Sequence, residues 1–86
     1  MADYAVTFAR SARKELERLD GPIVQRIWAR IDALTVDCRS AGCKKLMGSN
    51  DLWRIRVGEY RVIYSIDDGR RAVDVVAIRH RRDAYR

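Results

Sequence analysis

The sequence predicts a single α+β domain over residues 1–86: an N-terminal strand, then an antiparallel helix hairpin packed on a mainly antiparallel sheet of three to four strands, in the order β-α-α-β-β-β. Three observations carry that expectation. The stretch WRIRVGEYRVIY, Trp53 to Tyr64, alternates apolar and charged residues on both sides of a Gly-Glu step, the pattern of a tight hairpin. Apolar residues between Ala12 and Leu34 recur at helical spacing on either side of Asp20-Gly21-Pro22. Ala72 to Ile78 is a short apolar run rich in valine, set behind the turn signal Asp67-Asp68-Gly69-Arg70.

The elements follow in chain order. Tyr4, Val6 and Phe8 alternate and mark a first strand. Ser11 is a plausible N-cap, and Ala12, Leu16 and Leu19 form the buried stripe of a first helix ending near Leu19. Pro22, which lacks an amide donor and fits the first turn, restarts the chain as a second helix. Ile23, Ile27, Ile31 and Leu34 lie at i, i+4, i+8 and i+11, so this helix runs to about Val36 with Arg26, Arg30 and Asp32 turned away from its stripe. That stripe is core and not a cofactor site. Asp37 to Asp51, with Gly42, Gly48, Ser49 and Asn50, reads as a loop, in which Lys44 and Lys45 can reach a backbone phosphate or simply keep the loop hydrated.

The hairpin can be taken further, to a register. A two-residue loop with Gly58 first suits a type II′ turn, whose twist matches the strands it joins. Val57 then pairs with Tyr60, Arg56 with Arg61, Ile55 with Val62 and Trp53 with Tyr64. One face is apolar; the other carries Arg54, Arg56 and Arg61. Arg56 opposite Arg61 is a like-charge cross-strand pair, destabilising unless something outside the fold neutralises it. The plain alternative is a solvated sheet face whose flexible arginines spread apart at little cost. In the next hairpin the same reasoning pairs Tyr64 with Val73, Val62 with Val75 and Arg61 with Val76, so that His80, of Val76's parity, falls beside the arginine face.

Charge points to a polyanionic partner. The formal net charge is +6 with a pI near 9.9, and the only lysines are Lys14, Lys44 and Lys45. Arginine presents a planar fork of donors that meets phosphate oxygens two at a time and holds its charge permanently. From Leu52 onward nine arginines stand against five acids, so the excess is densest around the hairpin. Cys38 and Cys43 are expected as free thiols, and with His80 the single histidine the chain lacks the ligands of a zinc site. MADYAVTFAR holds no apolar run of signal-peptide or membrane-span length, which makes the cytoplasm the default compartment and a membrane partner unexpected.

The terminal RHRRDAYR can bring His80, Arg81 and Tyr85 toward the arginine face. Arginines can hold a scissile phosphate and stabilise charge on a developing phosphorane, while a histidine or tyrosine moves a proton. Arginine itself is a poor base, with a pKa above about 12. The bland readings are a basic tail with a surface histidine, and a Tyr85 that anchors the C-terminus on the sheet. Glu59 and Asp83, the acids nearest this face, form no evident carboxylate pair, which disfavours metal-dependent nuclease chemistry; no cofactor is expected.

Taken together, YAVTF, the helix hairpin, KKLMG, WRIRVGEYRVIY, IDDGRRAVDVVAI and HRRDAYR resemble the RelE-type toxins of bacterial and archaeal toxin–antitoxin modules, within the RelE/ParE superfamily. The resemblance spans nearly the whole chain. It implies a RelE-like fold and a ribosome-dependent endoribonuclease that cuts mRNA in the A site and inhibits translation, the RNA's own 2′-hydroxyl being the nucleophile. A cognate antitoxin would neutralise it. Position by position, Arg54 and Arg56 stand where some relatives hold lysines, Arg61 matches a phosphate-contacting arginine, Arg81 an arginine supporting the leaving side, and Tyr85 a tyrosine that stacks on or orients the substrate. Arginines in place of lysines keep the charge but weaken either as a general base, leaving the proton to Tyr85, His80, water or the ribosome. The alternatives are a ParE-like poison of DNA gyrase without nuclease chemistry, and a catalytically silent module that binds its antitoxin and, through the complex, operator DNA.

Overall fold

The structure is a computed structural model and describes residues 4–38, 43–46 and 52–80. Five strands and two helices follow in the order β1 (Ala5–Phe8), α1 (Arg10–Glu17), α2 (Gly21–Val36), β2 (Lys44–Lys45), β3 (Leu52–Val57), β4 (Tyr60–Asp67) and β5 (Ala72–His80). They form one mixed sheet of order β1-β5-β4-β3-β2, antiparallel except where β1 runs parallel to β5. A parallel neighbour needs a crossover, here begun by the two helices that follow β1 directly. The expected architecture is present with one strand more. Lys44 and Lys45, expected in a loop, make a two-residue edge strand on β3, too short and too charged to leave an alternation in the sequence.

The helices cover one face. Ala12 and Leu16 from α1 and Ile27, Ile31 and Leu34 from α2 meet Ile55, Val57, Val62, Tyr64, Val73, Val75 and Ile78 from the sheet in a single buried cluster. Removing that much apolar surface from water is what holds a domain of this size together. Among the described residues no helix is long and apolar enough to cross a membrane.

Local chemistry fixes the ends of these elements. Helix α1 starts two residues earlier than Ser11 would cap it: Ala9 is the N-cap, and the Ser11 hydroxyl instead donates, at a long 3.4 Å, to the carbonyl of Val76. Pro22 sits in the first turn of α2 behind Asp20. At the far end of α2 the Thr35 hydroxyl donates back to the Asp32 carbonyl at 2.7 Å, and two residues past the helix the Cys38 carbonyl accepts from the Tyr64 hydroxyl at 2.8 Å. Tyr64 is fully buried, so its hydroxyl has to be satisfied inside the protein, and this bond ties the end of α2 to the central strand.

The registers on the two sides of β4 differ in how they match expectation. Against β3 all four expected pairs are present, Val57 with Tyr60, Arg56 with Arg61, Ile55 with Val62 and Trp53 with Tyr64. Gly58 has φ +59°, and Glu59 does not share the positive φ that a type I′ turn would need, as expected for type II′. Against β5 the expected pairs do not form. Tyr64 pairs with Val75 rather than Val73, because a four-residue loop, Asp68 to Arg71, places Ala72 opposite Asp67. The pairing then slips between Ile63 and Tyr64, with Ala77 opposite Ile63 and Val76 left over as a β-bulge. Beyond the bulge Val62 faces Ile78, Arg61 faces Arg79 and Tyr60 faces His80.

Two substitutions test this description in urea unfolding. Tyr64→Phe, which removes the hydrogen bond to the Cys38 carbonyl, is expected to cost about 1 kcal/mol. Arg71, held at φ 52°, occupies a left-handed conformation that glycine adopts freely, so Arg71→Gly is expected to raise stability by up to about 1 kcal/mol. An unchanged midpoint in either variant would contradict the corresponding contact.

Candidate nucleic-acid interface

The face of the sheet away from the helices carries the candidate site. Alternation places Arg54 and Arg56 of β3 there, Arg61, Ile63, Ser65 and Asp67 of β4, Asp74, Ala77 and Arg79 of β5, and Thr7 of β1. Adjacent strands lie about 4.8 Å apart, so Arg56, Arg61 and Arg79 form a row of three guanidinium-bearing positions across neighbouring strands. Next to it Lys44 of β2 pairs with Arg54. Arg56, Arg79 and Lys44 are exposed, while Arg54 and Arg61 are half-buried.

Charge on this face is polarised along the strands. Among its described strand residues the acids are Asp67 and Asp74, both at the opposite end, while Glu59 stands in the turn at the basic end. Arg61 and Asp67 are six residues apart on one strand, roughly 20 Å at the rise of an antiparallel strand, about two and a half Debye lengths at physiological salt. The acids also have local partners: Asp74 accepts from the Thr7 hydroxyl at 2.8 Å, and Asp67 from the Arg70 amide at 3.1 Å. The basic end therefore offers a concentrated positive field to an anion arriving from solvent.

The tip of the β3–β4 hairpin separates two hollows. On the outer side a small one of about 70 Å³ is lined by Arg56, Gly58, Glu59, Tyr60 and Arg61. On the inner side a larger one of about 210 Å³ has Ile23, Val57 and Tyr60 among its walls, with Arg26 and His80. A third hollow, about 310 Å³, lies between the helices, where the rings of Phe8 and Trp28 meet edge to face at 5.2 Å.

The sequence-derived candidates separate accordingly. Arg54, Arg56 and Arg61 share the outer face as expected, and Lys44 joins them through β2. Lys45 pairs with Trp53 and so falls on the other side of the sheet. His80 is corrected: the bulge at Val76 reverses the parity of the rest of β5, putting His80 on the helix-covered side. There its imidazole lies 5.0 Å from the Tyr60 ring, nearly perpendicular, and its Nε2 is 3.5 Å from Glu59 Oε2. The same reversal brings Arg79, absent from the expected set, into the row. Its signal was in the spacing, since the inward apolar residues run Val73, Val75 and then Ile78, a step of two followed by a step of three. Arg81 and Tyr85 lie outside the described residues.

Like charges packed on adjacent strands should repel in the free protein. Arg56→Gln is expected to stabilise the fold by about 0.5 kcal/mol at low salt, with the gain shrinking as added salt screens the row. Urea unfolding at two ionic strengths measures this; destabilisation by Arg56→Gln would mean that the row is internally compensated.

The comparisons with known proteins agree with this architecture. The family described as the ParE toxin of the type II toxin-antitoxin system parDE matches residues 6–85. No curated protein matches the chain in sequence. Among solved structures the chain is similar to one in the archaeal RelE-RelB complex from Pyrococcus horikoshii, with 28% identity, 92% of this chain and 96% of that chain covered, and a TM-score of 0.77. It is similar to one in the RelBE2 toxin-antitoxin complex from Mycobacterium tuberculosis, at 26% identity, 91% and 98% coverage and a TM-score of 0.80. The isolated E. coli RelE toxin, 23% identical over 90% of this chain and 83% of its own, shares the fold with a TM-score of 0.80.

Proposed function

The chain belongs to the ParE toxin family of type II toxin–antitoxin systems, within the RelE/ParE superfamily, and on that premise we propose that it is a ribosome-dependent endoribonuclease that cleaves mRNA in the A site and so inhibits translation. The observation that supports this reading best is the row Arg56, Arg61 and Arg79 beside Arg54 and Lys44, a basic surface set on paired strands rather than on a loop. Rigid placement matters because phosphoryl transfer gains most from fixed charges aimed where negative charge develops.

The chemistry proceeds on the RNA's own atoms. The 2′-hydroxyl attacks the adjacent phosphorus, forming the 2′-O–P bond as the P–O5′ bond breaks, and leaves a 2′,3′-cyclic phosphate and a 5′-hydroxyl. One proton leaves the 2′-oxygen and one reaches the 5′-oxygen. Arg61 and Arg56 hold the non-bridging oxygens and stabilise the phosphorane, Arg54 and Lys44 hold neighbouring phosphates, and Arg79 extends the row. Arg81 supports the departing oxygen and Tyr85 orients the substrate. Proton transfer falls to Tyr85, water or the ribosome, because His80 is across the sheet from the row. The reaction requires no metal or cofactor in this reading, and the protein acts in the cytoplasm.

An antitoxin is the natural protein partner. The related RelE chains from Pyrococcus horikoshii and Mycobacterium tuberculosis were solved in complexes with antitoxins. For this chain an acidic or amphipathic segment that folds on binding would neutralise the arginine face, and the complex would in turn reach operator DNA.

The family match itself favours a second reading, a gyrase poison of the ParE kind that needs no nuclease site. Primer extension on a defined mRNA in a reconstituted translation reaction separates the two. New 5′ ends at A-site codons that require ribosomes are expected, and Arg61→Ala should lower their yield on the order of 100-fold, the scale of removing one donor to a developing oxyanion. Intact mRNA together with inhibited gyrase supercoiling would overturn the nuclease reading.

A further inference from the structure

The inner hollow at the hairpin tip is not used by the chemistry above, yet it shares a wall with it. Gly58, Glu59 and Tyr60 line both hollows, so only the two-residue turn and the start of β4 stand between Arg56 and Arg61 on one side and the larger space on the other. Resting on the RNA reading of the arginine face, we infer that the inner hollow is a base-recognition subsite that takes one unpaired nucleobase of the RNA, guanine by preference, with Arg26 and Glu59 as its specificity-determining residues.

Its walls have the character such a site needs. Ile23 and Val57 supply apolar surface, and the Tyr60 and His80 rings, edge to face at 5.0 Å, supply an aromatic side. Unpaired bases are held in this way against ring and apolar surfaces. The volume, about 210 Å³, is below the range of roughly 300 Å³ or more occupied by drug-sized ligands, which suits a single ring system.

Two side chains of opposite charge give the hollow its selectivity. The Arg26 guanidinium lies over the turn, both Nη atoms 3.5 Å from where a Cβ on Gly58 would stand. The Glu59 carboxylate is 3.5 Å from His80 through Oε2, but its side chain remains 67% exposed, leaving acceptor capacity for a ligand. Guanine offers two adjacent N–H groups, N1 and N2, to a carboxylate and two acceptors, O6 and N7, to an arginine. Adenine and cytosine offer a carboxylate only their exocyclic amino group. An RNA strand whose phosphate rests on Arg56 and Arg61 can thus turn around the tip and seat the neighbouring base on the inner side.

The test uses the full chain without ribosomes. NMR titrations with 5′-GMP, 5′-AMP, 5′-CMP, 5′-UMP and inorganic phosphate follow the Gly58 amide and the His80 imidazole. GMP is expected to shift both and to bind at least about fivefold more tightly than the other nucleotides, the lower end of discrimination by one well-formed polar base contact. Arg26→Ala and Glu59→Gln, both changes of exposed side chains, should each cut that preference below about twofold while leaving phosphate-induced shifts at Arg56 and Arg61. Equal binding of all four nucleotides, or a preference that survives both substitutions, would overturn the subsite. The outcome is independent of cleavage: GMP preference with intact mRNA would retire the nuclease reading alone, and cleavage without GMP preference would retire the subsite alone.

Discussion

The register of the central strand β4 against its two neighbours governs both the core and the surface of this protein. On one side the Gly58-Glu59 turn fixes it, since only a residue that accepts φ +59° can begin so short a loop. On the other side the loop Asp68 to Arg71 and the bulge at Val76 fix it. These devices seat Val62 and Tyr64 on the buried face, where both are fully enclosed. They also align Arg56, Arg61 and Arg79 across three strands. A one-residue slip would expose the first set and bury the second, so the apolar core holds together a row of like charges that the arginines alone would not form.

Much of this was legible in the sequence where local periodicity decides structure. The helices, their stripe of Ile27, Ile31 and Leu34, and the complete β3–β4 register follow from spacing and one glycine. The face shared by Arg54, Arg56 and Arg61 follows from the same alternation. What was not legible depends on counting across a turn or on distant pairing. The β4–β5 register needed the loop length and the extra residue at Val76, and missing that residue put His80 on the wrong face and left Arg79 out. The Lys44–Lys45 strand and the parallel β1–β5 pairing arise from tertiary contacts that a two-residue or four-residue segment does not announce. Arg26 had no signal at all: on its helix it reads as an ordinary solvent-facing residue, and only the fold sets it over Gly58.

The polarised outer face links energetics to function. The strand acids lie at the end near Asp67 and Asp74, where the Tyr4 hydroxyl donates to Asp68 in the adjoining turn, and the one described acid beside the arginines is Glu59 of the tip. The repulsion among the arginines would be relieved by an outside polyanion, which on the proposed function is RNA on the ribosome or an acidic antitoxin segment. The same residues would serve toxicity and its neutralisation, giving an antitoxin a direct way to compete with substrate.

On the proposed function, phosphates complete the row Arg56, Arg61 and Arg79. The most direct measurement is the salt dependence of binding between the full chain and a short single-stranded RNA, followed by fluorescence anisotropy. Log K is expected to fall linearly with log salt, with a slope that decreases by about 0.7 when Arg56 or Arg79 is changed to Gln, one phosphate contact being lost each time. A slope unchanged by both substitutions would place the phosphates elsewhere on the protein.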